Sequence, residues 1–142
     1  MAPNRWLATV YVVIAILALG LTWSQNLAYF VPGVAAMSFL TDAAVNPAAR
    51  SITFDIALVL YAAAIWMVFE GRRRRMAFVW AYVIGGLFVA ISVTLPLFLA
   101  ARELKPQVSP DIPGRPNLLD GVGLGILTVL VAAICAFALT AG

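Results

Sequence analysis

Between Arg75 and Arg102 the chain runs for 26 residues, Met76 to Ala101, without one formal charge. As a straight helix that stretch would be about 39 Å long, longer than the roughly 30 Å hydrocarbon core of a bilayer. Lipid is the solvent such a segment fits. Three further apolar runs, at 6–24, 52–69 and 118–140, have the length of a membrane crossing. Composition agrees: 64% of residues are hydrophobic and 11% charged, against about 25% charged in a soluble domain. The expected fold is a single all-α integral membrane domain over residues 1–142. It has four transmembrane helices in a bundle, with an interfacial or re-entrant segment between helices 1 and 2.

The interfacial segment is 27–40. It is apolar but broken by Pro32-Gly33, which leaves it too short to cross, and Trp23, Tyr29 and Phe30 suit the headgroup level. Arg5 and the small residues around Ala18-Leu19-Gly20 also fit a secretory signal peptide, but a retained first span is expected. Asn46-Pro47 reads as an N-cap followed by proline at the first helical position. The long third run must tilt, protrude or bend, and Pro96 is the expected bend. Residues 102–117 carry Pro106, Pro110, Pro113 and Pro116, which makes a stiff extended connection. Asn117 with Asp120 caps the last span.

Four crossings would put both termini and Arg72–Arg75 on one side of the membrane. That side then holds five cations, Arg5 and Arg72 to Arg75; the other holds Arg50, Arg102, Lys105 and Arg115. The positive-inside rule favours both termini in the cytoplasm, for a chain in the cell's inner (plasma) membrane, with the 102–117 loop outside. The margin is one charge.

Histidine is absent and Cys135 is the single cysteine. A disulfide framework, a Cys/His zinc site, a His-ligated haem and a Ser-His-Asp triad are all excluded within one chain. No metal or other cofactor is expected, although a bound carotenoid, quinone or lipid needs no ionisable ligand. The net charge of +3 comes mostly from Arg72–Arg75, which describes one loop and not a nucleic-acid face. Those four arginines suit anionic lipid headgroups, at roughly 1 kcal/mol each near the surface. Membrane lipids are thus the first expected partners, with other membrane subunits or self-association behind them.

Asp55 is the sharpest candidate for chemistry, because a carboxylate inside an apolar edge needs a partner or a purpose. One reading pairs it with Arg102 at the outer interface. The other makes it a catalytic proton donor or acceptor, assisted by Arg102 or Glu103. Gly121 and Gly125 form a small-xxx-small pair for helix packing, within the bundle or between copies.

The order Asn46-Pro47, Asp55-Ile56, Trp66, Phe69-Glu70-Gly71-Arg72-Arg73, Met76, Trp80-Ala81-Tyr82-Val83, Ile91-Ser92, Pro96-Leu97-Phe98-Leu99 and Arg102-Glu103 resembles a bacterial family of small membrane proteins, domain of unknown function 2834. The resemblance is strongest over about 45–104, loose over the first span and slight over the last. It implies a polytopic helical membrane protein and brings no activity with it. Two functions remain in view. The first is a non-enzymatic membrane component, either an accessory subunit or a binder of a lipophilic ligand. The alternative is a small enzyme acting on a lipid or isoprenoid, cyclase- or isomerase-like, using Asp55.

Overall fold

A computed structural model describes residues 4–35, 37–105 and 116–140. The described chain is helical: α1 (Arg5–Asn26), a 3-10 turn (Leu27–Tyr29), α2 (Ser38–Asp42), α3 (Pro47–Arg73), α4 (Val79–Gly85), a wide π turn (Gly86–Ala90), α5 (Ile91–Leu104) and α6 (Leu118–Thr140). Four helical segments are long and apolar enough to cross a membrane, Arg5–Tyr29, Pro47–Arg73, Val79–Leu104 and Leu118–Thr140.

The helix starts follow local chemistry. Asn4 Oδ1 accepts from the Leu7 N–H at 3.1 Å, and Asn46 Oδ1 from the Ala49 N–H at 2.8 Å. Each satisfies one of the amides that a helix start leaves without a partner. Pro47 occupies the first turn of α3, where its missing N–H costs nothing. At the other end of α3, Arg75 adopts the left-handed conformation (φ 50°). The Met76 N–H then reaches the Gly71 carbonyl at 2.8 Å and the Arg75 N–H reaches that of Arg72 at 3.1 Å. This is a Schellman cap with arginine where glycine is usual.

Among its described residues, segment 27–45 contains only the 3-10 turn and the five-residue α2, neither able to cross. It is pinned to the start of α3. The Thr53 hydroxyl donates to the Ala43 carbonyl (2.8 Å), Arg50 Nη1 donates to the Ala44 carbonyl (3.1 Å), and the Tyr29 hydroxyl donates to Asp42 (3.0 Å).

The third long segment takes an unexpected path. A straight helix would separate Tyr82 and Phe98 by about 24 Å, yet their rings meet edge to face with centroids 5.5 Å apart. Val79 packs on Gly71 at one end of the segment. At its other end Arg102 Nε donates to Glu70 at 2.8 Å, and Lys105 Nζ donates to the Arg75 carbonyl at 2.9 Å. Segment 79–104 is therefore a helical hairpin, down through α4 and back through α5. The reversal is at Ala90, whose backbone is extended (φ 175°, ψ 142°), and not at Pro96, which lies inside α5. Gly85 and Gly86 allow it. A Cβ on Gly85 would stand 2.9 Å from Thr94 Cγ2, and one on Gly86 would stand 2.9 Å from Leu60 Cδ1. Carbonyls exposed by the turn find partners: Trp23 Nε1 donates to Val89 (3.2 Å) and Thr94 Oγ1 to Ala90 (3.3 Å). Irregular backbone at membrane depth requires such cover.

α1 packs along α5, α6 packs along α3, and the hairpin sits between them. Phe98, Met67 and Val68 are fully buried at the centre, with Leu60, Val83 and Leu127 around them. The chain leaves α5 at Lys105 and re-enters at Asn117, both at the arginine end: Lys105 bonds to Arg75, and the Asn117 N–H to Asp120, which binds Arg72. This corrects the expected placement of the 102–117 loop opposite the arginines; residues 106–115 themselves lie outside the described residues. α6 then runs about 30 Å from Asp120 to Thr140. Thr140 and Asn4, whose N–H bonds to the Glu103 carbonyl, stand at opposite ends of the bundle, not at the shared end expected for the termini.

Candidate functional site

Two buried carboxylates organise the arginine end. Asp120, in the first turn of α6, has no exposed surface. It receives Arg72 through a two-point fork, Nε to Oδ2 at 2.8 Å and Nη2 to Oδ1 at 2.7 Å. Trp80 Nε1 donates to Oδ1 at 2.9 Å, and the Asn117 N–H donates to Oδ2 at 2.9 Å. In return the Asp120 N–H donates to Asn117 Oδ1 at 2.9 Å. One side chain thus joins the end of α3, the start of α4 and the start of α6. A planar guanidinium fork is the strongest geometry available for this.

Glu70, one turn before the end of α3 and 8% exposed, does the same for the hairpin's return arm. Its Oε1 accepts from Arg74 Nε at 2.6 Å and Arg102 Nε at 2.8 Å. Arg102 Nη1 also donates to Glu103 at 2.8 Å, and its guanidinium lies 5.9 Å from the centre of the Trp66 ring. Trp66 in turn meets Phe98 edge to face. Among the described residues no buried side-chain nitrogen or oxygen lacks a partner.

These contacts redistribute the candidate residues. Arg72 and Arg74 are engaged by Asp120 and Glu70. Arg73 and Arg75 are exposed, Arg73 with one long contact of 4.0 Å to Glu70. Arg102 and Glu103 are bonded to each other, but Asp55 is not with them. It lies fifteen residues before Glu70 on the same helix, about 22 Å away, exposed and in no ion pair among the described residues. The expected Asp55–Arg102 contact is therefore replaced by Glu70–Arg102. With 76–101 straight across the membrane, Arg102 would stand level with Asp55; the hairpin takes it to the other end of α3. Gly121 and Gly125 have nothing within 4 Å of a would-be Cβ, so among the described residues they mediate no packing. The close approach is at Gly123, where the Trp80 ring lies against the backbone.

From the sequence, Asp120 reads as part of a helix cap alone. Its second role was visible in one respect: an aspartate at the start of an apolar run has two oxygens, and a cap uses one. The partner, Arg72, cannot be read from a separation of 48 residues.

The sequence model of a family described as protein of unknown function DUF2834 matches residues 10–104, more than half of the 142-residue chain. Neither the comparison with curated proteins nor that with solved structures gave a match.

Proposed function

We propose, for a chain that belongs to the DUF2834 family of proteins of unknown function, that it is a non-enzymatic component of the plasma membrane, an accessory subunit or a binder of a lipophilic ligand. The observation that carries this reading is the state of the acids. Of the two buried acids, Asp120 has both oxygens held by Arg72 and Glu70 shares its Oε1 between Arg74 and Arg102, so both serve the structure. Asp55 is exposed on α3, and among the described residues no three of His, Cys, Asp and Glu come together. Proton transfer to an isoprenoid or lipid calls for an acid held in a cavity facing the substrate, whereas Asp55 is exposed and in no ion pair among the described residues. The open side of α6 at Gly121 and Gly125 suits a partner helix or a second copy.

The test is extraction of the full-length protein from its native membrane in polymer-bounded lipid discs, followed by mass spectrometry of polypeptides and lipophiles. A stoichiometric companion, protein or lipophile, that is retained by the Asp55→Asn variant is the expected result. A companion lipid chemically converted by the wild type and left unconverted by Asp55→Asn would establish the enzyme instead.

A further inference from the structure

Folding the third segment back regroups the cations of the molecule. Seven described cations stand at the arginine end: Arg5 and Arg72 to Arg75, together with Arg102 and Lys105, which the hairpin brings back. Arg50 alone stands at the far end, beside Ala44. The acids divide as Glu70, Glu103 and Asp120 against Asp42 and Asp55, so the described charge is +4 (7 − 3) at one end and −1 (1 − 2) at the other. Four straight crossings would divide the same eight described cations five to three; the observed path divides them seven to one.

Two further features mark the arginine end as a lipid-facing rim. Trp6, Phe78 and Leu118 are among the most exposed apolar side chains of the protein, and all three lie at this end beside Arg5, Arg75 and Asn117. Apolar and aromatic tips among cations suit the headgroup boundary. Arg75 also holds a left-handed backbone, φ 50°, where glycine would sit without strain. An exposed arginine in the place of glycine there adds a charge to this end.

We propose that segment 79–104 enters and leaves the bilayer at the arginine end, so that the chain crosses three times. The end so formed is a single cationic face docked on the anionic phospholipid of the cytoplasmic leaflet, and α6 ends on the opposite surface. Anionic lipid attracts juxtamembrane arginine and lysine within a Debye length of the surface, and the positive-inside bias orients the chain the same way. The proposal concerns topology and lipid contact, and stands whether or not the protein has a companion subunit.

The test uses the full chain with Cys135→Ala and one added cysteine at a time: Asp42→Cys, Arg73→Cys, Leu104→Cys, Lys105→Cys or Thr140→Cys. A membrane-impermeant maleimide is applied to spheroplasts and to inverted vesicles, with labelling after denaturation as the control for expression. Positions 73, 104 and 105 are expected to react only in inverted vesicles, and positions 42 and 140 only in spheroplasts. Reaction of 104 and 105 from the same side as 42 would show a full third crossing and overturn the hairpin. The expected grouping with the arginine end labelled from outside would overturn the docking on the cytoplasmic leaflet. Phosphatidylglycerol retained over phosphatidylcholine in native mass spectrometry provides the second measurement. Arg73→Gln with Arg75→Gln should lower that preference roughly tenfold or more; an unchanged preference would remove the exposed arginines from the lipid contact.

Discussion

At the arginine end, four helices are tied through two carboxylates: a fork from Arg72 joins α3 to α6 at Asp120, Arg102 joins α5 to α3 at Glu70, and Trp80 brings α4 onto Asp120. At the far end the ties are neutral or single. Asn46 caps α3, Thr53 and Arg50 hold two loop carbonyls, and Tyr29 meets Asp42. The difference follows from what each end must join. The far end connects α1 to α3 through a continuous segment, so chain connectivity does part of the positioning. The arginine end must hold both arms of a hairpin and the start of α6, which no described segment ties to α5. Removing one partner of a buried ion pair strands the other, so such ends are held strongly and fail sharply.

The largest effect should come from Asp120→Ala. It removes four acceptor contacts and leaves Arg72, one third exposed, without its partner. The expected loss is about 3 kcal/mol, the low end of the range for a broken buried pair, read by denaturant unfolding in detergent. Asn46→Ala, the corresponding cap at the far end, should cost only about 1 kcal/mol. Equal costs would remove the contrast between the ends.

Next in size is the hairpin turn. Gly86→Val places branched carbon against Leu60 and Thr94 and should cost about 1–3 kcal/mol by overpacking. Gly125→Val, with open space around it, should leave unfolding unchanged. A Gly86→Val protein as stable as wild type would mean that the two arms do not approach there.

A double-mutant cycle then separates the two candidate partners of Arg102. Glu70→Gln and Arg102→Leu should couple by about 1 kcal/mol, a value discounted for the partly exposed arginine. Asp55→Asn and Arg102→Leu should be additive. Coupling of Asp55 in place of Glu70 would restore a straight third span. The smallest expectation is for Asp55→Asn alone: no measurable shift in Tm, because the side chain is exposed and in no ion pair among the described residues.

Much of this protein was legible in order of residues. Long apolar runs must be helical in lipid, because hydrocarbon offers the backbone no other hydrogen-bond partner; Asn46-Pro47 and Asn117 start helices for reasons local to a few residues. Pro32-Gly33 likewise marked a stretch with no crossing helix. What composition could not convey was the path of Met76–Ala101. Such a run is long enough to cross obliquely or to dip and return, and both paths bury the same apolar surface. The choice rests on contacts between residues far apart in sequence: Thr94 against Gly85 and Gly86, Trp23 on the Val89 carbonyl, Arg102 on Glu70. Those contacts also moved Arg102 from Asp55 to the opposite end of α3. Local sequence determined that each segment would be a helix, since helical hydrogen bonds close within a turn. Which charges meet was decided only in the tertiary structure, because an ion pair depends on distances that the folded path sets.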